Sequence, residues 1–283
     1  MQPDQLDLRD VSLVCVETRR PQLALYALAR CLRQARFKEV RLLGSGQPVP
    51  SPDIAASALL DATVEHVRIR AITSVADYSR FMVRELGHWF SGSHALVVQW
   101  DGFITDAGRW DPRFLEYDYI GAPWPGQTPA VGNGGFSLRS RRLVDALQAM
   151  HTPVTHPEDH CICDRYRPQL ERDHGVRFAP LEVADRFSWE AAEPPVPTFG
   201  FHSFFNFHRV LAEAELLDYF DLCDAALLHS IPARRLLKNL YRASMHRAAD
   251  KLHAIRMAGP AAMRMDALKL RTFARARALL RAD

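Results

Sequence analysis

Hydrophobic positions along this chain change period several times, and each change marks an element. Val11-Ser12-Leu13-Val14-Cys15-Val16-Glu17 is short, β-branched and nearly continuous in apolar character, which predicts a buried strand. Thr18-Arg19-Arg20-Pro21 reads as a turn. From Gln22 to Arg36 the apolar residues Leu23, Leu25, Ala27, Leu28, Leu32 and Ala35 recur at helical spacing. Glu39 to Leu43 is a second strand, Gly44 to Pro52 a loop rich in Gly, Pro and Ser, and Val64 to Ile69 a third strand. Ser74 to Phe90 is helical, with Ser74 suited to cap its start. Ala95 to Gln99 is a fourth strand. Strands alternating with helices imply βαβ units and an α/β fold with a mostly parallel sheet.

Regularity breaks after Asp101. Residues 102–135 are rich in Gly, Pro and aromatics, among them Trp110, Tyr117, Tyr119 and Trp124. Ser140 to Met150 and Pro157 to Glu171 are expected helices, and Val176 to Phe178 a short strand. Pro157 suits a first helical position, with Glu158 and Asp159 in the first turn. From Val210 onward the pattern is helical, broken near Ile231-Pro232 and Gly259-Pro260. The expected division is residues 1–225 as one α/β domain and 226–283 as a helical C-terminal extension.

Composition narrows the class. The 283 residues are 48% hydrophobic and 24% charged, ordinary for a globular protein. No apolar run approaches the roughly 20 residues that span a bilayer. The acidic, polar start is unlike a signal peptide, and a cytoplasmic location is expected. The five cysteines include no CxxC pair, so reduced, buried thiols are expected rather than structural zinc. The net charge of +3 hides an asymmetry: residues 230–283 carry 13 Lys/Arg against 3 Asp/Glu, the remainder 23 against 30. A basic tail on a mildly acidic body implies an anionic partner for the tail.

Several positions carry candidate chemistry. The apolar run Ala95-Leu96-Val97-Val98 ends in Gln99-Trp100-Asp101-Gly102, which delivers a carboxylate to a strand's C-terminal edge. Ligands bind at that edge in open α/β sheets, and a carboxylate there suits a divalent ion on a diphosphate. An Asp before Gly is equally a turn former. Gln99 shares a sheet face with Asp101 and offers an amide oxygen, and Asp106 is a spare carboxylate. Thr18, Arg19 and Arg20, after the first strand, sit where a nucleotide would lie, and Arg suits a diphosphate. Gly132-Asn133-Gly134-Gly135 reads as a sharp turn whose backbone approaches a ligand closely, with Asn133 able to reach sugar hydroxyls; a plain hairpin turn is the alternative. Glu158 or Asp159 serves as a general base if it faces a pocket, and otherwise complements a helix dipole. His202 lies among Phe199, Phe201, Phe204, Phe205 and Phe207 as a core residue or a metal ligand, with His208 as its rival.

Taken in order, QWDGF, YDYIGAPWP, VGNGGFSLRSRR, PEDHCIC and FGFHSF resemble the DUF5672 family, read as bacterial glycosyltransferases of GT-A type, over roughly residues 8–210. The resemblance implies a GT-A-like, Rossmann-like fold and transfer of a sugar, hexosyl in kind, from a nucleotide-linked donor. It points to UDP as the nucleotide and to a glycan or lipid-linked acceptor in surface polysaccharide or lipopolysaccharide synthesis. It implies Mn²⁺ or Mg²⁺ at a strand-end D-x-D, here reduced to Gln99 and Asp101, with His202 completing the metal shell. Thr18, Arg19, Arg20, Gln99, Trp100 and Asp101 are then donor-binding. Asp159, with Glu158 beside it, resembles the base of inverting enzymes. Trp124, Asn133, Gly134 and Gly135 are expected to meet the acceptor sugar, on an aromatic platform from Trp110 to Trp124.

The missing first acid of the D-x-D supports a rival reading, a non-catalytic nucleotide- or sugar-binding protein. As a basic amphipathic helix pair, the tail suits an anionic membrane at the inner face. A helical cap or a homodimer arm is the alternative. Nucleic acid is not expected, because the tail lacks a recognition motif and holds only two aromatics, Tyr241 and Phe273.

Overall fold

A computed structural model describes residues 5–46 and 63–280. The loop expected over 44–52 is therefore seen only to Gly46, and the rest of it lies outside the described residues. The chain divides into two compact units, Met1–His202 and Ser203–Asp283. The boundary expected at 225/226 falls inside the second.

The first unit is built on a six-stranded sheet in the order β3-β2-β1-β4-β7-β6. Its four parallel strands are β1 (Leu6–Val16), β2 (Ala35–Gly44), β3 (Val64–Arg68) and β4 (His94–Val98). The other two, β6 (Tyr119–Pro123) and β7 (Val131–Ser140), pair antiparallel. Three short strands, β5 (Phe103–Ile104), β8 (Ser188–Trp189) and β9 (Gly200–Phe201), form a second sheet in the order β5-β9-β8. Helices flank the main sheet, so the expected mostly parallel α/β architecture is present. All five residues of β4 are buried, which is why its sequence after His94 is continuously apolar rather than alternating.

α1 (Pro21–Gln34) starts with proline at its first position, where the missing N–H costs nothing. α2 (Val75–Arg84) is capped by Ser74, whose hydroxyl accepts from Asp77 N at 3.0 Å. Such a cap stabilises by about 1 kcal/mol. Phe81 and Met82 of α2 pack with Val14, Val16 and Val97 of the sheet. The helix expected to run on to Phe90 ends at Arg84, and a 3₁₀ turn, Leu86–Trp89, follows. Gly87 in that turn disfavours continued α-helix.

Three further expectations are corrected. The Gly132–Gly135 segment is no turn; it is part of β7, every residue of which is buried. Its backbone pairs on both sides, Ala122 facing Asn133 and Gln99 N donating to Gly135 O at 2.9 Å. The helix expected over 157–171 is broken into one turn, Glu158–His160, a wide π segment, Cys161–Arg165, and α4 (Arg167–His174). Pro168 in the first turn of α4 has no N–H to continue an upstream helix. The strand expected at 176–178 is a single bridge, Tyr119 to Phe178. α3 (Arg141–Ala149) matches its expectation, capped by Ser140. α5 (Leu181–Phe187) precedes β8.

The second unit is helical. Its longer helices are α6 (Glu213–Leu222), α7 (Ile231–Arg242), α8 (His246–Met257) and α9 (Ala261–Leu279). The two breaks read from the sequence are helix starts: Pro232 lies in the first turn of α7 and Gly259-Pro260 precedes α9. No described helix is long and apolar enough to cross a membrane.

Candidate functional site

At the C-terminal ends of β1 and β4 lies a cavity of about 570 Å³. Glu17 to Arg20, Gln99, Trp100, Asn133 to Gly135, Pro157 to Asp159 and His202 all line it. This is where ligands sit in open α/β sheets.

One wall is the turn after β1. The Glu17 carboxylate accepts from Arg19 N and Arg20 N at 2.6 and 2.9 Å, which fixes the turn. Thr18 Oγ1 lies 3.2 Å from both the N–H and the carbonyl of Ile72, and Arg19 donates to Thr73 O at 2.6 Å. Both side chains tie the turn to the segment ahead of α2.

The floor is the end of β4. The Gln99 amide bridges two groups, donating to Tyr78 Oη at 3.1 Å and accepting from His202 Nε2 at 3.2 Å. His202 Nε2 is also 3.3 Å from Asp101 Oδ1, and Nδ1 is 3.2 Å from Glu190 Oε1. Burial alone would lower the imidazole, but Asp101 and Glu190 on either side outweigh it and push His202 up to about 10. Asp101 is 8% exposed and lies behind the cavity surface, in reach of it through His202 and Gln99. Burial pushes the Tyr78 hydroxyl up, so it is a neutral donor and acceptor.

The 158–160 turn contributes Glu158 and Asp159 to the lining. Asp159 is half-buried, and its Oδ2 accepts from Gly134 N at 3.3 Å. Glu158 is not available in the same way. Its Oε1 is 3.0 Å from Nη2 of Arg139, a fully buried guanidinium that also donates to Ser137 Oγ at 3.0 Å and to Gly134 O at 3.3 Å. The Tyr119 ring lies 5.4 Å from the guanidinium carbon. Burial pushes the Glu158 carboxyl up against the pull of Arg139.

The glycines of β7 make these approaches feasible. A Cβ on Gly134 would lie 2.6 Å from Glu158 Oε1, and one on Gly135 only 2.1 Å from His202 Nε2. They are there for missing side chains, not for a bend. Asn133 uses its amide internally, donating to Glu190 Oε2 at 2.7 Å and accepting from Gly135 N at 3.2 Å.

Residues expected to act together are thus mostly brought together: Thr18, Arg19, Arg20, Gln99, Trp100, Asn133, Gly134, Gly135, Glu158, Asp159 and His202 share one cavity. Trp124 does not line it. That ring is 7% exposed and stacked on His160, centroids 4.2 Å apart. Trp110, half-buried, packs edge-on against Phe114 and Phe199 and does not line the cavity either, so the expected aromatic platform does not face it. Asp106 caps a 3₁₀ turn and pairs with Arg109 at 3.1 Å. His208 lies in the second unit, hydrogen-bonded to Phe205 O. Glu190, Arg139 and Tyr78 went unnoticed in the sequence. The one signal was an arginine inside an apolar strand, at Arg139.

Among the described residues no group of three or more His, Cys, Asp or Glu could hold a metal ion. His202 Nε2 lies 3.3 Å from Asp101 Oδ1 and 3.2 Å from Gln99 Oε1, and a carboxylate, an amide oxygen and an imidazole are donor types that a divalent cation accepts. Glu190 on the far nitrogen is the partner that orients a ligating imidazole. The described cysteines are all unbridged, with Cys15, Cys31, Cys161 and Cys163 buried.

The family described as "Protein of unknown function (DUF5672)" matches residues 61–202. No curated protein matches the chain. Among solved structures, the chain is similar to a glycosyltransferase involved in glycosylation of the major capsid of PBCV-1, at 10% identity and TM-score 0.43, over 75% of this chain and 99% of that one. It is similar to an active-site mutant of LgtC at 12% identity and TM-score 0.45, over 75% and 94% of the two chains. It is also similar to the glycosyltransferase GlyE of Streptococcus pneumoniae TIGR4, at 12% identity and TM-score 0.41, over 83% of this chain and 64% of GlyE.

Proposed function

The chain belongs to the DUF5672 family, and we propose that it is a glycosyltransferase that moves a sugar, a hexose in the first instance, from a nucleotide-linked donor to an acceptor hydroxyl. The observation that carries this reading is that one cavity is lined both by the half-buried Asp159 and by Gln99 and His202, the latter in contact with Asp101 just past β4. Sugar transfer needs a base on one side of the reacting carbon, compensation of diphosphate charge on the other, and a wall against water.

Asp159 is the base in this proposal. Its carboxylate takes the proton of the acceptor hydroxyl as the new C–O bond forms and the bond to the diphosphate breaks, with inversion at that carbon. The Gly134 N–H holds Oδ2 and so orients the carboxylate. Glu158, tied up by Arg139, positions the turn that presents Asp159. Thr18, Arg19, Arg20 and Trp100 form the nucleotide wall, and Asn133 to Gly135 the sugar wall.

A divalent cation, when bound, supplies positive charge for the leaving diphosphate. Asp101, Gln99 and neutral His202 are the residues to hold it, with Glu190 steadying the ring. In its protonated form His202 instead places its own positive charge between Asp101 and Glu190.

UDP is the nucleotide to test first, with a glycan or lipid-linked acceptor of surface polysaccharide synthesis. Calorimetric titration of UDP and other nucleoside diphosphates, with and without Mn²⁺, is the experiment. Native protein binds more tightly with the ion, and Asp101→Ala abolishes that difference. Equal binding by the two proteins overturns the ion assignment. Gln99, an amide where a D-x-D would have its first acid, favours a second reading as a non-catalytic binder, which predicts diphosphate binding with no turnover of any nucleotide sugar.

A further inference from the structure

The second unit contains a cavity of its own, about 790 Å³, between α7, α8 and α9. Among the described residues five cations line it, Arg234, Lys238, Arg242, Arg271 and Arg277, against one acid, Asp250. Two of the five are neutralised internally. Arg234 pairs with Asp266 at 2.7 Å and Arg271 with Asp250 at 3.1 Å. Lys238, Arg242 and Arg277 make no side-chain hydrogen bond or ion pair among the described residues. A concave site with three cations that no described residue compensates attracts phosphate, whose oxygens match the guanidinium fork.

The rim decides which phosphate. Phe273 lines the cavity yet is 74% exposed. Met265 and Leu268 on the same helix, and Leu280 just beyond it, are exposed as well. At 3.6 residues per turn these four fall within an arc of roughly 140° on one side of α9. Large apolar side chains left in water beside a basic cavity fit a ligand with an anionic head and a hydrocarbon body. A free phosphate or a nucleic-acid backbone gives them nothing to cover.

We propose that this cavity binds the phosphate headgroup of an anionic lipid at a bilayer surface, with Phe273 and the exposed side of α9 entering the interface. The site is independent of the transfer chemistry assigned to the first unit, and its test needs no turnover. It matches the behaviour of interfacial helices, where apolar burial and basic residues act together.

The test is co-sedimentation of the full chain with vesicles of phosphatidylcholine, alone or carrying phosphatidylglycerol, at low and high salt. Binding is expected only to the anionic vesicles and is weakened by salt. Lys238→Ala combined with Arg242→Ala should weaken it about thirtyfold, at ~1 kcal/mol per cation near the surface. Arg247→Ala combined with Arg264→Ala removes the same charge from exposed positions outside the cavity, and should weaken binding far less. Phe273→Ala should reduce vesicle binding while leaving calorimetric binding of inorganic phosphate unchanged. Equal losses in the two double variants would overturn the proposal in favour of diffuse charge. Phosphate binding without vesicle binding would replace the lipid with a soluble anion. Self-association abolished by Lys238→Ala with Arg242→Ala, with no vesicle binding, would assign the surface to a second copy of the chain.

Discussion

Replacing Arg139 by methionine should unfold the first unit far more easily at neutral pH than at acid pH. The guanidinium is fully buried, holds the Glu158 carboxylate at 3.0 Å and closes hydrogen bonds to Ser137 and Gly134. Methionine fills similar volume, so the loss is mainly electrostatic. Removing one partner of a buried pair costs about 3–5 kcal/mol, because the other charge stays buried without compensation. For a unit of this size that lowers Tm by about 10 °C. The sign with pH follows from Glu158. Burial already pushes its carboxyl up, and without Arg139 the main opposing pull is gone. Folded Glu158 then holds its proton at pH values where the unfolded chain has lost it. The stability gap to native protein is therefore full above the raised pKa and closes as pH falls towards the unfolded value of about 4.3. Adding Glu158→Gln should recover most of the loss. All five tryptophans, Trp89, Trp100, Trp110, Trp124 and Trp189, lie in the first unit, so urea unfolding followed by tryptophan fluorescence reads this unit alone. A gap below about 1 kcal/mol at pH 7, or one unchanged between pH 7 and 4.5, would refute the reasoning.

Other outcomes follow from the same geometry. Gly135→Ala drives a methyl into His202, so it should lose ion-dependent diphosphate binding and destabilise by about 1–3 kcal/mol, both readable by calorimetry and thermal melting. Four of the five thiols are buried, and burial pushes Cys31 up to about 12 and Cys15 and Cys163 well above the ordinary thiol. At pH 7.5 a thiol reagent should therefore label Cys223 before any other, with the rest reacting on denaturation; rapid labelling of a second thiol in the native state contradicts this.

Some of this was legible in the sequence. An unbroken apolar run stopped by Gln99-Trp100-Asp101 is how a buried strand must read, and its chemistry-bearing end is where the cavity opens. The glycine run in β7 misled because Asn-Gly is a strong local turn signal, while the true cause is long-range: His202 and the Glu158–Arg139 pair need the space. Glu190 escaped notice for the same reason. It meets Asn133 across 57 residues, and no spacing encodes that contact. Trp124 failed in the opposite direction, since an aromatic in a Gly- and Pro-rich segment looks like a sugar platform until a core is built around it.

Product nucleotide released from a panel of nucleotide sugars, by native protein and by Asp159→Asn, tests the central claim most directly. The account predicts that native protein turns over at least one donor and that Asp159→Asn is slower by roughly 10² to 10⁴ while binding the diphosphate with native affinity. Turnover undiminished in Asp159→Asn, or diphosphate binding by native protein with no turnover of any donor and acceptor offered, would contradict it.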